Sequence, residues 1–163
     1  MKKRMAKEAS IDPKILEQAL RRTPMLKDVS KEDLATFTDC GSTVVFEAGE
    51  VIFKAGGKAD QFFLLEEGRV AVEIQVGEED PIVIQTLGPG EVLGWSWIFP
   101  PYLWQFDGRA MEAVKAIALD ARCIRGKLED NPRLGYWLMK QFSKILMDRL
   151  SATRIQVMDI YGR

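Results

Sequence analysis

With no histidine among its 163 residues, the chain cannot assemble a Ser-His-Asp or Cys-His nucleophile, nor a His-ligated metal or haem site. Its two cysteines, Cys40 and Cys123, are too few for an iron–sulfur cluster and too far apart for a CxxC pair. They read as small buried hydrophobes in a reducing compartment. Carboxylates cluster at Glu66-Glu67 and Glu78-Glu79-Asp80, each at an expected turn, where solvated charge is the ordinary role. A paired-acid hydrolase would need two acids facing one cleft, which spacing alone does not supply. No enzyme is expected.

One segment differs. GEVLGWSWIFPPYLWQFDGRAMEAVKA, Gly90 to Ala116, holds three of the four tryptophans beside Pro100-Pro101, several glycines and a single arginine, Arg109. Trp95, Trp97, Ile98, Phe99, Tyr102, Trp104 and Phe106 either plug a cavity or line a pocket for an apolar or aromatic ligand.

The elements around the segment set its frame. Charged residues make up 29% of the chain and the net charge is −1, so no cationic field favours nucleic acid. Neither a secretory h-region nor a bilayer-length apolar run is present, and the cytoplasm is the expected location, with no membrane partner. Asp12 to Arg22 reads as an amphipathic helix with an Asp cap and a first-turn proline, and Ser30 followed by Asp33 as the start of a second helix. From Ser42, glycines at 49, 56-57, 68, 77 and 88-90 punctuate short apolar runs at roughly the 8 to 12 residue spacing of an antiparallel sandwich or barrel. Four or five strands are expected before the odd segment, and two after it, near 110–115 and 116–120. In RVAVEIQV, Val70, Val72, Ile74 and Val76 share one face and Arg69, Ala71, Glu73 and Gln75 the other.

Helical periodicity returns with a short helix at Arg122–Asp130. Asn131-Pro132 then opens a helix that could run about 40 Å, to Ile160. Leu134, Leu138, Phe142, Ile145, Leu146, Leu150 and Val157 recur along it. The stripe either covers the chain's own barrel or forms a seam with a second copy. The homodimer is favoured, with Leu138, Phe142, Ile145, Leu146 and Leu150 as seam residues. The whole of 1–163 reads as one domain: helices over 11–40, strands over 42–121 with the odd segment at 90–110, and helices over 122–163.

This order, together with VVFEAGEVIFKAGGKADQFFLLEEGRVAVEI, resembles the cyclic-nucleotide-binding domain of the catabolite activator and FNR regulator superfamily. Gly49, Gly56, Phe63 and Gly68 fall where that family has its turn and core residues. The resemblance implies a mainly β fold, an antiparallel, jelly-roll-like β-roll with N-terminal helices and a long C-terminal one. It also implies a phosphate-binding cassette, in which a Gly-Glu-Leu-Ala segment opens a short helix against the cyclic phosphate and a later arginine completes the charge pairing.

Here the matching segment is Gly94-Trp95-Ser96-Trp97. Trp95 stands where the ribose-binding glutamate would be, and an indole N–H donates but does not accept. With Val114-Lys115-Ala116 set on the family's Val-Arg/Lys-Ala ending, Ala110 takes the arginine's place and Arg109 lies one residue off. A bulge at Gly108 would return it toward the pocket. The candidate ligand residues are Gly94, Trp95, Ser96, Trp97, Arg109, Ala110 and Met111. No cofactor is called for; cyclic nucleotide is the ligand the resemblance implies, and Trp95 and the displaced arginine stand against it. The family's helix-turn-helix commonly follows the long helix, but the sequence stops at Tyr161-Gly162-Arg163, so direct DNA binding is not expected. Two functions remain: a sensor or regulatory module with a rewritten cassette, acting through an unknown protein partner, or a ligand-free dimeric scaffold with a plugged pocket.

Overall fold

The computed structural model describes residues 11–162. Helix α1, Pro13–Arg22, starts where the Asp12 carboxylate accepts from the Lys14 amide at 2.9 Å, and it buries Leu16, Ala19 and Leu20 at helical spacing. In the second helix, α2 (Lys31–Cys40), the Ser30 hydroxyl caps the Asp33 amide at 3.1 Å, and Leu34, Phe37 and Cys40 form the buried stripe.

Eight strands follow: β1 Gly41–Phe46, β2 Val51–Phe53, β3 Gln61–Glu67, β4 Val70–Ile74, β5 Ile82–Leu87, β6 Val92–Leu93, β7 Asp107–Ala110 and β8 Val114–Asp120. They form two antiparallel sheets, in the orders β1-β8-β3-β6 and β2-β7-β4-β5. Between them lies the core, with Val44, Phe46, Phe63 and Leu65 from the first sheet and Val70, Val72, Leu87 and Ala110 from the second. Phe46 meets Phe63 edge to face at 5.8 Å. Burying a side chain of this size contributes about 1.5–3 kcal/mol, so these residues decide that the sheets close on each other.

Helix α3 spans Ala121–Asp130 and helix α4 Pro132–Tyr161. Two compact units divide between Gly126 and Lys127. The first holds α1, α2, both sheets and the start of α3. In the second, α4 begins with the Asn131 side chain accepting from the Leu134 amide and with Pro132 in its first turn. Among the described residues, no helix is long and apolar enough to cross a membrane.

The β-roll and the helix starts follow the sequence expectations, with four differences. Five strands precede the odd segment and the two-residue β6 lies within it, while the two strands expected near 110–115 and 116–120 are instead β7 at Asp107–Ala110 and β8 at Val114–Asp120. The strand begun by Val70 ends at Ile74, which is 37% exposed, and Val76 lies outside it. Ala71 and Glu73 on the second face are buried as well as Val70 and Val72 on the first, so both faces of β4 are covered. Finally, Cys40 and Cys123 are not free hydrophobes: their Cα atoms stand 5.7 Å apart and they form a disulfide joining the end of α2 to the first turn of α3. With a sequence separation of 83, spacing carried no sign of the meeting.

Candidate functional site

The odd segment leaves β6 at Gly94, whose φ is +96°, a conformation glycine adopts without penalty. A side chain there would also have no room, because a Cβ would stand 2.7 Å from the six-membered ring of Trp104. No helix opens at this glycine. Residues 94–101 form turns instead, closed by the Ile98 amide on the Trp95 carbonyl at 3.2 Å and the Tyr102 amide on the Phe99 carbonyl at 2.9 Å. The cis Pro100-Pro101 bond sits in the second of these. Without a helix, the expected row of N–H groups and dipole end facing a phosphate is missing.

Aromatic stacking fills the space. Trp104 lies parallel to Phe53, centroids 3.9 Å apart and planes within 13°, and Phe53 in turn covers Gly108, where a Cβ would come within 2.7 Å of its ring. Gly94, Trp104, Phe53 and Gly108 thus form one layered stack from the cassette glycine to strand β7. Trp97, 1% exposed, stacks on Phe62 of β3 at 4.5 Å. Trp95 is half-buried and meets Phe106 edge to face at 6.4 Å, and Ser96 is buried.

Backbone bonds fix Trp104 in place. The Gly56 amide donates to the Trp104 carbonyl at 2.8 Å, the Trp104 amide to Gly57 at 2.9 Å, and the Ala59 amide to Tyr102 at 2.7 Å. Just beyond, the buried Asp107 accepts from the Ala55 amide at 2.7 Å and pairs with Lys54 at 3.4 Å. From α3, the Arg125 guanidinium donates to the Trp97 carbonyl at 2.7 Å and lies 4.0 Å over the ring of Tyr102. One side chain therefore pins both turns of the segment.

The sequence alignment of the arginine region does not hold. Val114, Lys115 and Ala116 belong to β8, in the opposite sheet from β7, so they cannot end the strand that follows the cassette. Ala110 pairs with Val70 and is fully buried in the core between the sheets. Met111 lies in the turn after β7 and is 40% exposed. Arg109 pairs with Ala71 in the β4 ladder, with no bulge in that pairing; the irregularity lies on the β2 side. Its side chain has a different partner from a phosphate, donating through Nε at 2.9 Å and Nη2 at 2.5 Å to the buried Glu73 carboxylate. That hydrogen bond first, and the carboxylate's charge second, hold the Arg109 pKa above its ordinary value.

Of the sequence candidates, Gly94 and Trp97 pack around the segment, while Arg109 is spent on an internal ion pair. Phe53, Phe62, Glu73 and Arg125 were not singled out. Phe53 and Phe62 looked like ordinary strand residues, and Glu73 like a solvated one. Only the meeting of β4 with β7, and of α3 with the turns, gives them these roles.

In the seam list, Leu138 and Phe142 are 0% and 2% exposed within a single chain, Ile145 and Leu146 are half-buried, and Leu150 is 50% exposed. The large apolar side chains of α4 open to solvent are Tyr136 near its start and, from Met147 onward, Leu150, Ile155, Val157, Met158, Ile160 and Tyr161.

With β-roll and cassette position described, comparison with known proteins becomes informative. The family model of the cyclic nucleotide-binding domain matches residues 43–131, more than half of the chain. The chain belongs to the cyclic nucleotide-binding domain family. Over 76 residues, 46% of the chain, it is 32% identical to cGMP-dependent protein kinase 2 of Homo sapiens, and over 80 residues, 49%, it is 30% identical to the cAMP-dependent protein kinase regulatory subunit of Schizosaccharomyces pombe. It spans only 10% and 18% of those relatives' own lengths. Among solved structures, a Geobacter metallireducens protein assigned to cyclic nucleotide binding superposes with a TM-score of 0.72 at 26% identity, covering 86% of this chain and 98% of that one. A cyclic nucleotide-binding domain from Methylobacillus flagellatus shares the fold with a TM-score of 0.74 at 14% identity, over 90% and 83% of the two chains. These likenesses carry the β-roll.

Proposed function

We propose that this family member is a non-enzymatic regulatory module of the cytoplasm that works without cyclic nucleotide, its cassette closed by its own aromatic side chains. One observation carries the reading: the ring of Trp104 lies against Gly94, in the layer a ligand at the cassette glycine would need, stacked on Phe53. Two further features support it. Arg109 is committed to Glu73, and a turn stands where the family's cassette helix would begin. The relatives named for cyclic-nucleotide-dependent kinases support the regulatory class, while the ligand in their names does not carry over to a cassette built this way.

The output of such a module is a contact with another protein. Self-association through the open part of α4 is its simplest form, with an unidentified regulated protein as the further partner. Direct DNA contact and catalysis form no part of the proposal.

Titration with cyclic AMP and cyclic GMP, by calorimetry and tryptophan fluorescence together, tests the reading. No saturable heat is expected from either nucleotide, and no rise in melting temperature, since a ligand specific for the native state must raise it. Saturable binding with a change in tryptophan emission would overturn the proposal. Trp104→Ala, which opens the layer beside Gly94, is expected to gain affinity for an apolar or aromatic ligand that the parent ignores.

A further inference from the structure

We propose that Cys40–Cys123 is a reversible redox site, taking a dithiol reductant as its substrate, and that its state is passed to the cassette through Arg125. The inference rests on the cassette being held shut by its own side chains. Three observations converge on the first turn of α3. Cys123 is tied by the disulfide to Cys40, the last residue of α2. Its amide donates to the Asp120 carboxylate at 2.7 Å, and the neighbouring Ala121 amide donates to Asp60 at 3.0 Å. Arg125, two residues further along the same helix, makes the hold on the Trp97 carbonyl and the Tyr102 ring. The disulfide is thus one of three tethers on the turn that carries this arginine, and the only one that a change of redox state can cut.

The two sulfurs differ in access: Cys40 is 8% exposed, whereas Cys123 is partly open to solvent. A thiolate of the reductant attacks the Cys123 sulfur, and the Cys40–Cys123 bond breaks with Cys40 leaving as a thiolate that takes up a proton. The reductant's second thiolate then displaces the Cys123 sulfur, which is protonated in turn. Two electrons and two protons reach the protein, and the reductant departs as its own disulfide. Reduction frees α3 to shift relative to α2, and a shift of the first turn moves a guanidinium whose hydrogen bond tolerates only a few tenths of an ångström. The turns at 94–102 then lose their clamp.

Amide hydrogen exchange of the full chain without nucleotide reads this directly. Oxidised protein is compared with protein treated with dithiothreitol, intact mass confirming the gain of two hydrogens. Peptides covering 94–106 are expected to exchange roughly fivefold faster after reduction, the factor for losing one ordinary hydrogen bond. Cys40→Ser should match the reduced protein with or without reductant, and Arg125→Ala should exchange fast in both states. Three results would overturn the proposal: a bridge that dithiothreitol does not reduce in the native protein, equal exchange at 94–106 in both states even with a lowered melting temperature, or a redox difference that persists undiminished in Arg125→Ala. Should Cys40→Ser not fold, the parent in its two redox states decides alone. Because no nucleotide enters this assay and no redox change enters the nucleotide titration, a failure of this inference and a failure of the ligand-free reading are told apart.

Discussion

The segment 94–106 and the second half of α4 are both rich in large apolar side chains, yet they end in opposite states. In the first, Trp97 and Trp104 are 1% and 7% exposed, each stacked on a phenylalanine from a strand. In the second, Met147, Ile155, Met158 and Tyr161 are 66% to 86% or, for Ile155, 61% exposed. Similar composition therefore means two things. Trp97 and Trp104 have found their partners inside the chain, while Phe99 between them is 61% exposed, and the side chains of the second half of α4 stay open to solvent. A closed cassette and an open helix surface are the two features on which the proposed protein-binding role rests.

The comparison breaks most readily at the buried end. Trp97→Ala removes a side chain packed on Phe62 and should cost about 3–5 kcal/mol, read from urea unfolding. A loss near zero would mean that the segment is loosely held and open to ligand after all. Next comes Cys40→Ser under oxidising conditions, with an expected loss of about 2–4 kcal/mol, because the bridge closes a long loop in the unfolded chain. Arg109→Ala sharpens the contrast between a structural and a ligand-binding arginine. Cutting its bonds to Glu73 should cost about 1–2 kcal/mol, tempered because the guanidinium is 38% exposed. A change below about 0.5 kcal/mol would return Arg109 to the list of free anchors. At the open end, Leu150→Glu should alter the stability of the single chain by less than about 0.5 kcal/mol while shifting the mass in sedimentation toward monomer. An unchanged mass would move any self-association to another surface.

Local order was legible along the chain. The Asp12, Ser30 and Asn131 caps, the proline starts of α1 and α4, and the glycines at turns all act within a few residues of themselves, which is why spacing reveals them. The family was legible too, because its turn and core residues sit in one continuous stretch. Within the cassette, reading stopped at residue type. Trp95 in the place of an acid was visible, but the register of Arg109 was set against Val114-Lys115-Ala116, which belong to the other sheet. A strand register offset of this kind leaves no trace in composition, since β7 and β8 both read as short mixed runs.

The sequence by itself determined the elements, the β-roll and the absence of any histidine-based chemistry, because helix caps, turn glycines and apolar periods act over short distances. Only the tertiary structure decided that Arg109 belongs to Glu73, that Trp104 lies on Gly94 beneath Phe53, and that Cys40 meets Cys123. Each of these joins residues on different elements, and such contacts exist only once the apolar faces of both sheets have been buried together.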